Sequence, residues 1–105
     1  MTIVSPITVK QGDFGASATL AFTVIDPNNL ITSLSGYTVY LLVWSDPANP
    51  IIKGLCALDS AMSCHYVPGA SDYNLPGLYS WELELEGSRL STETGIFIIK
   101  PSPTH

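Results

Sequence analysis

Charge is scarce in this sequence. Four Lys and Arg residues and nine Asp and Glu residues give the 105-residue chain a net charge of −5, and only 12% of its residues are charged. Soluble domains usually have about 25% charged residues. Because phosphate contacts need clustered Lys and Arg, we expect no nucleic-acid partner. Hydrophobic residues make up 46% of the chain, so it is too apolar to be disordered and has little of the charge that keeps a free monomer soluble.

Long hydrophobic runs are missing as well. The longest apolar stretch spans residues 39–44, far short of the roughly 20 residues that a membrane helix needs. Residues 1–10 have neither a basic head before an apolar run nor a small-residue cleavage site, so they do not resemble a signal peptide. We therefore expect no membrane partner and a reducing compartment.

Cysteine is limited to Cys56 and Cys64. Two cysteines are too few for a disulfide framework, and their spacing is not that of a zinc site, so free thiols and no metal are the default expectation. Both residues lie on neighbouring predicted strands. A three-residue hairpin loop would pair them directly, close enough for a disulfide, whereas a four-residue loop would put them on opposite faces. The sequence leaves both alternatives open.

Histidine is equally rare, since only His65 and His105 are present. Nucleophilic catalysis needs a base beside the nucleophile and a third group that orients the base. Cys64 and His65 are consecutive on a predicted strand, so their side chains point to opposite faces and form no simple pair. We therefore expect no catalytic residues, no cofactor and no enzymatic activity.

Three acidic residues, Glu82, Glu84 and Glu86, share one face of a predicted strand. Their spacing lies within the range of paired glycosidase carboxylates. A row of acids is, however, more typical of the solvated face of a sheet, where it also blocks unwanted strand pairing. We favour that interpretation over carbohydrate hydrolysis and over a weak divalent-cation site.

Turn residues interrupt the chain at short, regular intervals. The runs between them are rich in Val, Ile, Leu, Thr, Tyr and Phe, which predicts an all-β domain of about seven strands in two antiparallel sheets and no long helix. The predicted strands are A (residues 7–10), B (18–25), C (37–44), D (51–58), E (62–67), F (78–86) and G (89–100). Residues 7–100 then form one domain between short tails at 1–6 and 101–105, and Thr94-Gly95 marks a bulge in strand G. The predicted core contains Leu20, Phe22, Val39, Leu41, Val43, Tyr79, Trp81 and Leu83.

Strand C departs from the usual alternation of apolar and polar side chains. Its inward face is normal, but its outward face presents Tyr40, Leu42 and Trp44. Three large apolar groups side by side amount to a few hundred Å², the size at which an exposed patch usually marks a contact site. We interpret these residues as a protein interface. The alternative is that a loop of this chain, at residues 28–33 or 71–75, covers them.

The order of several short motifs is more specific than any one of them. The motifs are TVKQGD at residues 8–13, LSGYTV at 34–39, and PGLYSWE at 76–82. Together they resemble the immunoglobulin-like N-terminal domain of phage baseplate upper proteins, in which "K-x-G-D-T", "L-x-G-A-T-V" and "P-G-x-Y-x-x-E" recur in this order. The resemblance extends from Thr8 to about Lys100.

This resemblance implies an immunoglobulin-like β-sandwich that serves as a phage virion structural protein, in the baseplate, the neck or tail, or as a capsid decoration. Its partners would be other virion proteins and further copies of itself, with a trimer as one form, and it would reside in the virion after assembly in the host cytoplasm. Tyr79 would act like the tyrosine corner of such sandwiches. The alternative is a carbohydrate-binding adhesion module for a host surface glycan, with Tyr66, Tyr73 and Trp44 as an aromatic platform.

Overall fold

The computed structural model describes residues 6–25, 33–86, 90–92 and 94–101, and in these ranges the chain is almost entirely β. Both predicted tails therefore lie almost wholly outside the described residues. The strands are β1 (Ile7–Lys10), β2 (Leu20–Thr23), β3 (Thr38–Trp44), β4 (Ile52–Leu55), β5 (Ala57–Ser60), β6 (Ser63–Tyr66), β7 (Gly77–Glu86), β8 (Leu90–Ser91) and β9 (Gly95–Lys100). In the described part of the chain, the one helix is a 3-10 turn at Ala16–Ala18. The all-β prediction is confirmed.

The strands form two sheets. The larger has the order β1-β9-β7-β3-β4, with β8 also paired to β7, and the smaller has the order β2-β6-β5. The prediction that all pairing is antiparallel is wrong at one place, because β1 runs parallel to β9 from Ile7 opposite Phe97 to Lys10 opposite Lys100. These two strands are joined by no hairpin, so no tight turn forces them to run in opposite directions.

Two of the predicted strands are divided. Predicted strand D splits at Cys56, whose amide still donates to the carbonyl oxygen of Val39 at 2.9 Å; β4 before it belongs to the larger sheet and β5 after it to the smaller. Predicted strand G splits into β8 and β9. Ser91 pairs with Glu84 but Gly95 with Trp81, so one extra residue lies on the β8–β9 side. The bulge predicted before Gly95 is confirmed.

The core lies between the inward faces of the two sheets. Six of the eight predicted core residues are buried, while Leu20 and Tyr79 are partly buried and pack against the others. The aromatic centre is Trp81, whose ring centroid lies 5.3 Å from that of Phe22. Residues outside the predicted core list are also buried, namely Val24, Leu34, Ile52, Cys56, Cys64, Tyr66, Tyr73, Leu85, Phe97 and Ile99. The last strand and the segment before β7 therefore complete the core.

The predicted role of Tyr79 in fastening the chain before β7 is confirmed, since its hydroxyl donates to the carbonyl oxygen of Leu75 at 2.8 Å. Replacing Tyr79 with phenylalanine is expected to lower the free energy of unfolding by about 1 kcal/mol, because one intramolecular hydrogen bond is lost without loss of the ring. Urea unfolding followed by circular dichroism measures the change. Tyr37→Phe is the control, because Tyr37 is likewise a partly buried ring packed against the core; an equal loss there would contradict the assignment.

Candidate functional site

The outward face of the larger sheet carries the residues predicted to form an interface. On β3, Val39, Leu41 and Val43 are at most 1% exposed, so the alternate side chains Tyr40, Leu42 and Trp44 lie on the opposite, outward face. These three side chains are half-buried rather than fully exposed. Their shared face follows from the strand alternation, as the sequence predicted.

Neighbouring strands extend this face beyond β3. Tyr40 pairs with Leu55 on β4 and Trp44 with Ser80 on β7, while Ser80 also pairs with Ile96 on β9. Leu78 pairs with Ile98 in the next row. Leu55, Leu78 and Ile96 are 63%, 70% and 51% exposed. The outer apolar face therefore comprises Tyr40, Leu42, Trp44, Leu55, Leu78, Ile96 and Ile98.

Three charged side chains lie beside the outer apolar face. Glu82 and Glu84 lie opposite Leu42 and Tyr40, and the ammonium nitrogen of Lys53 lies 4.9 Å from the centroid of the Tyr40 ring. Both carboxylates are half-buried, so the row predicted to be fully solvated is only partly so. Burial, together with the nearby Glu84 charge, raises the pKa of Glu82, against a lowering effect of the hydrogen bond from Thr94. The side chains around Glu82 therefore limit the contact of its carboxyl group with water.

Of the two loops that could cover the outer apolar face, only the one at residues 71–75 lies within the described residues. Residues 26–32 lie outside the described residues. In the other loop, the carbonyl oxygens of Tyr73 and Asn74 accept hydrogen bonds from Gly12 and Gln11, at 2.8 and 3.0 Å. This loop is thus fastened to the β1–β2 connection, and Tyr73 enters the core.

The aromatic platform expected for sugar binding is not formed. Tyr73 is 1% and Tyr66 8% exposed, and both belong to the core, whereas Trp44 lies on the outward face of the larger sheet. The Tyr66 hydroxyl donates to the Asp72 carboxylate. Burial and this acceptor raise the pKa of Tyr66. The prediction of a shared platform is wrong, because two of the three rings serve packing instead.

The two cysteines are free thiols and both are buried. Cys64 pairs with Leu58, not with Cys56. The alternative with a three-residue hairpin loop, which would have paired the two cysteines directly, is therefore wrong. The Cys56 thiol donates weakly to the carbonyl oxygen of Gly54 at 4.0 Å, and its interaction with the Cys64 thiol together with burial raises the pKa of Cys56. A protonated thiol is a poor nucleophile. A disulfide between Cys56 and Cys64 stays a prediction.

His65 and Cys64 point to opposite faces of β6, as predicted. Cys64 is fully buried, whereas the His65 Nδ1 atom lies 2.7 Å from the Asp59 carboxylate at the surface. The sequence pattern does not predict this pair, because it places Asp59 in a turn and not in β5. Among the described residues, no group of three or more His, Cys, Asp or Glu side chains could hold a metal ion.

A pocket that the sequence analysis did not foresee lies beside β1. It is open to solvent, has a volume of about 440 Å³, and is lined by Thr8, Val9, Lys10, Asp13, Ser17, Ala18, Thr19, Leu20, Tyr73 and Lys100. The Tyr73 hydroxyl oxygen is buried and has no hydrogen-bond partner among the described residues. Burial raises the pKa of Tyr73, and the charges of Asp72 and Asp13 raise it further. Tyr73 therefore stays a neutral phenol over the physiological pH range.

Comparison with known proteins gives no relative on which to base a function, since neither the models of protein families nor the curated proteins include a match to this sequence. Among the described residues, no helix has the length and apolar character that crossing a membrane requires. The outer apolar face and the pocket beside β1 are the two candidate sites of the described residues.

Proposed function

We propose that this protein is a non-enzymatic structural component of a phage virion, which docks on neighbouring subunits through the outer apolar face. The observation that supports this most is the exposure of Leu55, Leu78 and Ile96 beside Tyr40, Leu42 and Trp44 on one flat sheet face. Several large apolar side chains exposed on one face are typical of protein contacts, and isolated monomers rarely leave large apolar patches open. The low charge content of the chain agrees with a protein that is buried among neighbours.

The resemblance to phage baseplate domains suggests the kind of neighbour. We propose further copies of this chain, in a trimer or a related oligomer, together with other virion proteins of the baseplate, neck, tail or capsid. The protein would then assemble in the host cytoplasm and remain in the virion. Closed symmetric contacts between copies, which are isologous in a dimer and heterologous in a ring such as a trimer, are the commonest form of oligomer.

We further propose that the two sheets form an immunoglobulin-like sandwich. The smaller sheet combines β2, β6 and β5, and the larger combines β9, β7 and β3, which matches the division of strands B, E, D and G, F, C in that fold. The hydrogen bond from Tyr79 to Leu75, just before the sixth predicted strand, corresponds to the tyrosine corner. In this arrangement β1 lies beside the last strand.

Removing the apolar side chains of β3 tests the docking function. The double variant Leu42→Ser, Trp44→Ser is expected to abolish the self-association of the wild-type protein, because the contact loses two large apolar groups while the inward face of β3 is unchanged. Light scattering during size-exclusion chromatography measures the mass, and circular dichroism checks that the variant remains folded. The variant Leu78→Ser, Ile96→Ser tests the same face at side chains that are more exposed.

The matched control replaces exposed apolar residues on the other side of the molecule. Leu58 and Val67 are 43% and 46% exposed and lie at β5 and just after β6, so the variant Leu58→Ser, Val67→Ser should still associate. A wild-type protein that stays monomeric, or outer-face variants that associate as strongly as the wild type, would contradict docking between copies.

Carbohydrate binding remains the second candidate function, but in a different place from the one that the sequence predicted. The aromatic platform is absent because Tyr66 and Tyr73 are buried. The observation in favour of this function is instead the pocket beside β1, whose wall includes hydroxyl and ammonium groups. A glycan array probed with the whole protein tests it, and an array without any signal would count against adhesion to host glycans.

A further inference from the structure

The pocket beside β1 runs along the free edge of that strand. β1 stands at the end of the larger sheet and pairs with β9. Three consecutive residues of β1, Thr8, Val9 and Lys10, line the pocket, although their side chains alternate between the two faces of the sheet. The opposite wall comes from residues 17–20, and Tyr73 contributes from the core side. A volume of about 440 Å³ is within the range of small-molecule sites.

The charge at the mouth of this pocket is positive, unlike that of the whole protein. Lys10 and Lys100 are direct partners across the parallel ladder, and they are two of only four basic residues in a chain of net charge −5. Like charges directly opposite one another destabilise a sheet. Asp13 is the one acidic residue that lines the pocket, so its lining contains two basic residues and one acidic residue. An anionic group bound between the lysines would relieve their repulsion.

Hydroxyl groups supply the rest of the polar wall. Thr8, Ser17 and Thr19 line the pocket together with Tyr73. The Thr19 hydroxyl donates to the carbonyl oxygen of Ala16 at 2.8 Å, so its lone pairs remain as acceptors. The buried Tyr73 hydroxyl has no partner among the described residues. Such a group is costly unless something forms a hydrogen bond with it. A ligand with several hydroxyl groups would satisfy this wall.

We propose that the pocket beside β1 binds an acidic sugar, with the carboxylate of a hexuronic acid at Lys10 and Lys100 and its ring hydroxyls against Thr8, Ser17, Thr19 and Tyr73. A simple anion would use only the two lysines, and a neutral sugar would leave their repulsion unrelieved. A uronic acid combines both features on one ring. The proposal deepens the second candidate function and is independent of docking through the outer apolar face.

Titration of the full-length protein with glucuronate, followed by the amide resonances in NMR spectra, tests the proposal. Glucuronate is expected to shift the resonances of residues 8–10, 17–20 and 100. Glucose has the same ring without the carboxylate, and acetate has the carboxylate without the ring. Both are expected to bind at least about tenfold more weakly.

Variants assign the binding to the named groups. The double variant Lys10→Gln, Lys100→Gln is expected to lose at least about tenfold in glucuronate affinity. Tyr73→Phe should weaken glucuronate but leave the weak acetate shifts unchanged, and its dispersed spectrum would show that the fold is intact. The matched control Lys53→Gln removes a lysine from the outer apolar face and should bind glucuronate as the wild type does.

Three results would overturn the proposal: no shifts with glucuronate, equal affinity for acetate and glucuronate, or unchanged affinity in the Lys10→Gln, Lys100→Gln variant. Equal affinity for acetate would mean a simple anion site. Binding of glucuronate with a blank glycan array would leave the pocket assignment standing and refute only the adhesion function.

Discussion

Replacing Trp81 with alanine is expected to lower the free energy of unfolding by about 4 kcal/mol, the largest effect of any single substitution proposed for this protein. Trp81 is fully buried and packs on Phe22 from the centre of β7. Its removal leaves a cavity between the two sheets. Backbone hydrogen bonds fix the strands of each sheet, so the sheets can fill this cavity only partly. Since domains of this size are stable by about 5–15 kcal/mol, the variant should be close to unfolding at ambient temperature. Urea unfolding followed by far-UV circular dichroism measures the loss.

The same substitution at the other tryptophan is the matched control. Trp44 is half-buried on the outer apolar face, so Trp44→Ala should cost less than half as much in dilute solution, where association does not contribute. Trp81→Phe should also cost much less than Trp81→Ala. It keeps most of the ring volume and removes the indole N–H, which is buried without a hydrogen-bond partner among the described residues. Equal losses at Trp81 and Trp44 would show that the core is not centred on Trp81.

Replacing Gly54 with alanine is expected to lower the free energy of unfolding by about 3 kcal/mol, through overpacking between the sheets. A Cβ atom at this position of β4 would run into the ring of Tyr66, with Cδ1 at 2.8 Å and two further ring atoms closer still. The ring cannot easily move aside. Its hydroxyl is held by Asp72, whose carboxylate also accepts a hydrogen bond from the Gly69 amide at 2.7 Å. Urea unfolding measures this loss too.

Two further variants show whether the cost at Gly54 comes from this contact. A Cβ atom at Gly69 would have its nearest neighbour at 3.7 Å, an ordinary van der Waals distance, so Gly69→Ala should change stability little. In a Tyr66→Leu background, Gly54→Ala should cost less than in the wild type, because the two residues are then no longer in conflict. A full cost in that background would place the clash elsewhere.

Strand positions were the part of the fold that local pattern could predict. Predicted strand A coincides with β1, and predicted strands C and F differ from β3 and β7 by one residue at the start. The alternation along β3 and β7 also sorted the inward from the outward side chains, because a strand places successive residues on opposite faces wherever it lies. The role of Tyr79 followed from the resemblance to immunoglobulin-like sandwiches and not from the alternation, and its partner Leu75 lies four residues away.

Pairing between strands that are far apart in the chain was out of reach, whereas the neighbouring strands around Cys56 and Cys64 do pair as predicted. The sequence identified Tyr40, Leu42 and Trp44 within one strand, but Leu55 and Ile96 join them only through the register with β4 and β9. The pocket beside β1 depends likewise on Lys10 and Lys100, which are 90 residues apart in the chain and adjacent in the sheet. The division of predicted strand D into β4 and β5 was equally unpredictable. Hydrophobic runs do not reveal where a chain leaves one sheet for the other.

The parallel pairing of β1 with β9 has a mechanical consequence. A force applied through the residues before Ile7 and after Lys100 would pull these two strands past each other along their own axes. All four residue pairs of the ladder, from Ile7 with Phe97 to Lys10 with Lys100, would then bear the load together. An antiparallel hairpin pulled at its open end instead loses its bonds one after another. Tension along the chain would thus meet its greatest resistance at the outset, before the sheets separate.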